Sequence, residues 1–598
     1  MVSATTLPPE DEGAGTEGAA PPPAEAGVAR RRWDRWATLL ALGFVAFLFA
    51  LPLRGLLRVQ GSPMEEGFML VFPERVLEGD LPNRDFLHLY GPGSLWVLAG
   101  AFWTFGTTLF TERVVGLLQH VGLVLGLFAL ARPWGRAVAT SAAAVCLLVI
   151  IPPTALTALA WNGALALGVW ALWAALRARR SPPETAGRWA LLAGVLAGLT
   201  ILYRPDLVVA TTLGVGAALW GVERLRLRRF AVGAALGLAP YLIHLATAGV
   251  GNSVQGMLLD PVFRLRGGRS LPIPPSPSEL VGFLQLSGET YLFEWPLPTL
   301  TTAQQIALWF WLVFVINAVL VGVGVWRVRT DRRSVTARIV LAVALFSLGM
   351  LPQAVQRTDS THFAWATAVG LGFLPVAVAE LLGRFAPRRR PALRSLVAGG
   401  LVLLLLAVAI PNFTFLRYAD LTAQTFGSHR LSFPVSREGR NFYYGRRDAA
   451  KALRTLLPDL ERVAAPGDRL FVGTSDLRKT PYSDAFLYHL FPELDPATRY
   501  IEMDPGVANE EGSGLAEDLA SADVAVLSRI WNDWNEPNDS RVVGSDESNR
   551  VLEDQFRLER AYGGTDTGPG QSFASAANRD RFNVLFELWV RREPRSGG

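Results

Sequence analysis

Apolar blocks almost free of charge follow one another from about Ala37 to Pro411, and beyond Arg417 the chain becomes as polar as a globular domain. A bilayer crossing needs ~20 apolar residues in helix. Windows of that length place spans near 37–57, 112–131, 137–152, 155–176, 188–203, 207–222, 229–249, 304–326, 337–352, 362–383 and 394–411, about eleven in all. After 412 the period changes: helical stretches at 448–463, 484–491, 515–520 and 550–556 alternate with strand patterns at 469–472, 500–503, 523–527 and 582–589. Such β/α alternation predicts a small α/β layer domain. The expected architecture is therefore a polytopic α-helical membrane protein with a C-terminal α/β domain: a tail over 1–36, a membrane domain over 37–412 and the α/β domain over 413–598.

Composition sharpens this picture. Of 598 residues 50% are hydrophobic and 18% charged, and the mean hydropathy is +0.27, too apolar for a soluble protein of this length. Residues 1–29 hold Pro, Gly, Ala and Glu but no aromatic, and are expected to lack structure. The single cysteine, Cys146, lies in an apolar block and excludes a disulfide framework. The net charge of +5 points to no nucleic-acid partner, because the arginines sit in short loops between apolar blocks: Arg132 and Arg136, Arg177 to Arg188, Arg224 to Arg229, Arg327 to Arg338, and Arg384 to Arg394. With a cytoplasmic N-terminus all of these loops fall inside, as the positive-inside rule requires. The C-terminal domain then falls outside. Gly91 to Phe110 is apolar enough to span, but a crossing there would invert every later loop. Its aromatics Trp96, Phe102, Trp103, Phe105 and Phe110 instead suit a helix in the outer interface.

The remaining polar residues gather on the outer side. The first outer loop carries Glu65-Glu66-Gly67, Arg84-Asp85-Phe86, His88 and Tyr90; Arg204-Pro205-Asp206 closes one span, and Arg357, Asp359 and His362 open another. Charge at such positions is costly without a partner. Ordinary interfacial residues are the plain alternative at each site taken singly. Glu65, Glu66, Asp85 and His88 include hard ligands compatible with a divalent cation, although their spacing is not diagnostic.

The stretch from Met64 to Leu117 resembles the GT-C class of membrane glycosyltransferases, which includes protein mannosyltransferases, aminoarabinose transferases and rhizobial galacturonosyltransferase-like proteins. The likeness rests on Glu65-Glu66-Gly67, Leu77-Glu78-Gly79, Arg84-Asp85-Phe86, Gly91-Pro92-Gly93, Phe105-Gly106 and Glu112-Arg113; Arg204-Pro205-Asp206 and Arg357-x-Asp359-x-x-His362 are similar to the bacterial branch. Glu65 stands where such proteins usually have Asp, and Tyr90 and Gly91 stand where some have a lysine before Pro-Pro.

The resemblance implies hexosyl or pentosyl transfer from a polyprenyl-phosphate sugar to a glycan, lipid or protein acceptor, in a bacterial plasma membrane and on its outer side. Glu65, Glu66 or Asp85 would be the base. Arg204, Arg357 and His362 would hold the donor phosphate, with Arg264, Arg266 and Arg269 of the long loop 250–303 reaching over it, and Asp206, Asp359, His88 and Tyr90 in support. A transporter or flippase, or a non-catalytic envelope scaffold, are the competing classes.

Overall fold

A computed structural model describes residues 24–276, 293–385, 391–427, 431–532, 536–563 and 584–593. Among these, nine helices are long and apolar enough to cross a membrane, from Asp34–Arg58 to Ala392–Ala409. The other two blocks expected to span are also helical. Ala160–Arg180 is largely buried in the bundle, and Val208–Leu219 is only 12 residues long. Short connections force neighbouring helices to run antiparallel, so the arginine-bearing loops meet at one end. There Arg226 donates to the carbonyl of Ala178 (2.7 Å), Arg179 to that of Trp220 (2.7 Å), and Arg327 pairs with Glu380 (3.2 Å).

Backbones in lipid approach closely where side chains are small. Gly194 and Gly198 on the helix Pro183–Tyr203 face Gly233 and Gly237 on Arg224–Ala248, and a Cβ at any of them would strike the opposite main chain. Gly93–Phe105 has 13 residues, ~20 Å at 1.5 Å per residue, short of the ~30 Å hydrocarbon layer. It leaves Trp103 and Phe105 exposed, as an interfacial helix would.

The C-terminal sheet has the order β4-β3-β5-β7-β6, with β3 Arg469–Thr474, β4 Asp495–Pro496, β5 Val524–Ser528, β6 Phe556–Tyr562 and β7 Phe586–Arg591. Strands β4, β3 and β5 are parallel; β7 is antiparallel to β5 and to β6. A separate hairpin pairs β1 Phe433–Arg437 with β2 Arg440–Tyr444. The helix Glu65–Glu78 of the first outer loop packs into this domain, burying Phe68, Met69 and Phe72 in one cluster with Phe442, Phe486 and Leu487. Residues from both sides of the boundary expected at 412 thus share one hydrophobic cluster.

Several expectations need correction. The first helix begins at Ala24, inside the segment expected to lack structure; residues 1–23 of that segment lie outside the described residues. The block at 155–176 becomes helical only at Ala160, because Pro152 and Pro153 end the preceding helix and Ala155 turns at φ 51°. The strand expected at 500–503 is irregular. The sheet edge is Asp495–Pro496 instead, cut short by a proline that cannot donate to the ladder, and Tyr500, Ile501 and Met503 are buried by packing. Helix 550–556 ends one residue early, where Phe556 opens β6. The loop 250–303 starts as helix, Val250–Val254, Gln255–Arg264 and Leu265–Arg269; most of its proline-rich continuation, residues 277–292, lies outside the described residues, as do 582–583 of the last expected strand.

Candidate functional site

At the end of the bundle opposite the basic loops, a cavity of about 230 Å³ lies between the helices and the C-terminal domain. Its floor is apolar, with Pro152, Pro153, Leu159, Trp161, Trp365 and Phe413; its walls carry Glu65, Tyr90, Arg269, Arg357, His362, Arg417, Tyr482, Glu502 and Glu536. Segments hundreds of residues apart in sequence share one surface.

Glu65 opens the helix Glu65–Glu78. Its Oε2 accepts hydrogen bonds from Ser62 Oγ and from Tyr482 OH. Glu66 points the other way, into the protein, and makes a two-pronged ion pair with Arg113 (2.7 and 2.8 Å), both side chains 1% exposed. The adjacent glutamates therefore have different surroundings, and only Glu65 faces the cavity.

Arg357 extends from the residue capping a short helix, Leu351–Gln356. It donates to Asp359 (2.8 Å), to the carbonyl of Arg269 (2.7 Å) and to Glu536. Asp359 is fully buried and caps the helix Ser360–Phe385 by accepting from His362 N (2.9 Å); its carboxylate also meets His362 Nδ1 at 3.0 Å. The nearby charges of His362 and Arg357 hold its carboxyl well below the usual range against the opposing effect of burial. Arg269 ends the loop's helical segment and pairs with Glu502 (3.2 Å) and Asp504. Gly268 touching Pro505, and Leu265 in the domain's cluster, fix this segment to the C-terminal domain.

Arg204 lies one layer behind the cavity wall. Its guanidinium is sandwiched between the rings of Tyr90 (4.1 Å) and Trp161 (3.8 Å) and bound by Asp206 at 3.0 and 2.7 Å. Other sequence candidates lie away from the cavity. Asp85 is bound to Arg84 (2.9 and 2.8 Å) and to the amide of Leu81 (2.8 Å), and the Arg84 hydrogen bond lowers its pKa. His88 is buried behind Tyr90 between Phe72 and Phe86, and burial pushes its pKa down to about 3, which keeps it neutral. Arg264 and Arg266 are exposed, the former 3.6 Å from Asp260. Among the described residues no three His, Cys, Asp or Glu side chains come together so as to hold a metal ion.

Tyr482, Glu502, Glu536 and Arg417 were not singled out from sequence. Arg417, paired with Asp420 at 3.2 Å just after the last span, satisfies the same criterion that selected Arg204 and Arg357. The other three are placed only by the fold of the C-terminal domain.

No family model and no curated protein matches the sequence. Among solved structures, ArnT from Cupriavidus metallidurans bound to undecaprenyl phosphate matches at 14% identity, over 93% of this chain and 99% of that one, with a TM-score of 0.49. The Archaeoglobus fulgidus oligosaccharyltransferase tethered with an acceptor peptide matches at 14% identity, over 88% and 74%, with a TM-score of 0.43. The arabinofuranosyltransferase AftD from Mycobacteria matches at 15% identity, over 94% of this chain but 40% of that one, with a TM-score of 0.37. All three are GT-C glycosyltransferases. Likeness at this level does not assign activity to residues.

One consequence of the site's charges is measurable without a substrate. Arg269 pairs with two buried carboxylates, Glu502 and Asp504, and burial together with the neighbouring Asp504 pushes the pKa of Glu502 up from 4.5 to about 8. Such a group favours the folded state while protonated, so its contribution is present at pH 4.5 and is lost as pH rises through about 8. Detergent-solubilised protein is expected to melt at lower temperature at alkaline than at mildly acidic pH, and Glu502→Gln to flatten that difference. An unchanged pH dependence in the variant would show that Glu502 does not hold the proton.

Proposed function

We propose that the protein is a membrane glycosyltransferase that moves a hexosyl or pentosyl group from a polyprenyl-phosphate donor to an acceptor hydroxyl on the extracytoplasmic side. The observation that carries this reading is the convergence of Glu65, Arg269, Arg357 and His362 on one cavity with an apolar floor, at the bundle end opposite the basic loops. By the positive-inside rule that end is extracytoplasmic. A carboxylate facing fixed cationic donors suits a reaction in which a proton is removed on one side while negative charge develops on the other.

In this reading the acceptor oxygen attacks the anomeric carbon. The new glycosidic bond forms, the bond from that carbon to the phosphate oxygen breaks, and its electron pair leaves with the phosphate. The hydroxyl proton passes to Glu65. Arg269, Arg357, Arg417 and His362 stabilise the leaving phosphate: a guanidinium has five N–H donors, and the carboxylates already bound take only part of each fork. The prenyl chain lies toward Pro152, Pro153 and Phe413, and Arg204 acts from the second layer by holding Tyr90 and Trp161.

Membranes bearing the protein, incubated with polyprenyl-phosphate sugars labelled in the sugar, are expected to pass label to an acceptor; absence of transfer from every donor tried would overturn the activity. Protease added outside intact spheroplasts is expected to cut the C-terminal domain. A fully protected domain would place the cavity on the cytoplasmic side and remove the proposed orientation.

A further inference from the structure

We propose that Tyr482 of the C-terminal domain is a positioning residue for Glu65, so that the domain completes the reactive site as well as covering it. This rests on the reading of Glu65 as the base.

Two hydroxyls, Ser62 Oγ and Tyr482 OH, lie side by side and each directs its one hydrogen to Glu65 Oε2. Among the described residues Oε1 has no hydrogen-bond partner. A carboxylate fixed through one oxygen by two donors keeps one plane and one rotamer, and presents the other oxygen to whatever occupies the cavity. Fixing that geometry in advance lowers the entropic part of the barrier to proton transfer.

Tyr482 is itself held rigidly. Its ring, 2% exposed, packs on Trp531 with centroids 4.4 Å apart. Trp531 Nε1 donates to Asp484 (2.8 Å), and Tyr444 OH donates to the second oxygen of the same carboxylate (3.0 Å). Thr474 Oγ1, at the end of β3, donates to the carbonyl of Lys479 (2.6 Å) and so closes the turn that delivers Pro481-Tyr482. On the other side the loop bearing Ser62 is tied to the same domain by main-chain bonds, Gly61 N to Tyr443 O (2.8 Å) and Phe486 N to Pro63 O (3.2 Å). Both hydroxyls are therefore referenced to the C-terminal domain. Glu65's own helix, Glu65–Glu78, belongs to the first outer loop and packs into the same domain.

The test is Tyr482→Phe, which removes one hydroxyl and keeps the ring on Trp531. A lost hydrogen bond to a charged group predicts a fall in kcat of about 10-fold, with donor and acceptor KM changed less than about two-fold. Ser62→Ala, which removes the other hydroxyl at the same oxygen, is expected to act in the same direction. In a Glu65→Asp background, where the carboxylate is one methylene short of the hydroxyls, Tyr482→Phe should add little. A wild-type kcat in both hydroxyl variants, a loss confined to KM, or an undiminished loss in the Glu65→Asp background would each overturn the proposal. Glu65→Gln run in parallel separates the failures: if it retains full transfer, the assignment of the base fails, whereas full activity of Tyr482→Phe beside an inactive Glu65→Gln sinks the positioning role alone.

Discussion

Glu65→Gln is expected to lower kcat for sugar transfer by about 100-fold or more, the range that a positioned general base contributes. The substitution replaces one oxygen by an amide nitrogen and keeps the shape. The amide oxygen still accepts from Ser62 and Tyr482, so the helix Glu65–Glu78 has no reason to move. Donor affinity should also hold within a few-fold, because the phosphate is assigned to the arginines. Asp85→Asn is the matched control: Asp85 is bound in a turn by Arg84 and Leu81 outside the cavity, and its loss should leave kcat within about three-fold of wild type, the effect of a substitution that touches no reacting group. Radiolabel transfer in membranes, normalised to folded protein, reads both. Equal activity of Glu65→Gln and wild type would remove the base; a large loss in Asp85→Asn alone would move that role to a residue the cavity does not contain.

How far the sequence anticipated this arrangement differs between its two kinds of solvent. In the membrane part, burial in lipid writes a continuous apolar run, and short arginine loops mark one end, so positions of the helices and the grouping of Glu65, Arg357 and His362 were legible without coordinates. The C-terminal domain writes weaker signals. Its hairpin β1–β2 escaped because Pro434 and Ser436 read as loop, although Glu438 and Gly439, both at positive φ, make the tight turn that such a hairpin needs. Glu502 and Asp504 sit in a buried irregular segment whose pattern at 500–503 reads as a strand that the sheet does not contain. Tyr482 is delivered by a turn whose geometry depends on Thr474 and Lys479. Which of two adjacent glutamates faces the cavity was undecidable from residue type, since both open the same helix. The partner that separates them, Arg113, lies 47 positions away on another helix.

That separation leads to the second large expected effect. Glu66 and Arg113 are each 1% exposed, and the guanidinium meets both carboxylate oxygens at 2.7 and 2.8 Å while also donating to the carbonyl of Leu56 (3.3 Å) and lying 5.7 Å from the ring of Tyr443. Removing one member deprives the other buried charge of its two-pronged counter-ion, a loss of about 3–5 kcal/mol. Glu66→Ala and Arg113→Ala should each sharply lower the melting temperature of the solubilised protein and its yield in membranes. The double variant should lose less than the sum, because deleting both groups removes the stranded charge along with the attraction. If the two losses add fully, the pair is not acting as a unit. The comparison also distinguishes the neighbouring glutamates by kind of damage: substitution of Glu66 reduces the amount of folded protein, and substitution of Glu65 reduces turnover by protein that remains folded.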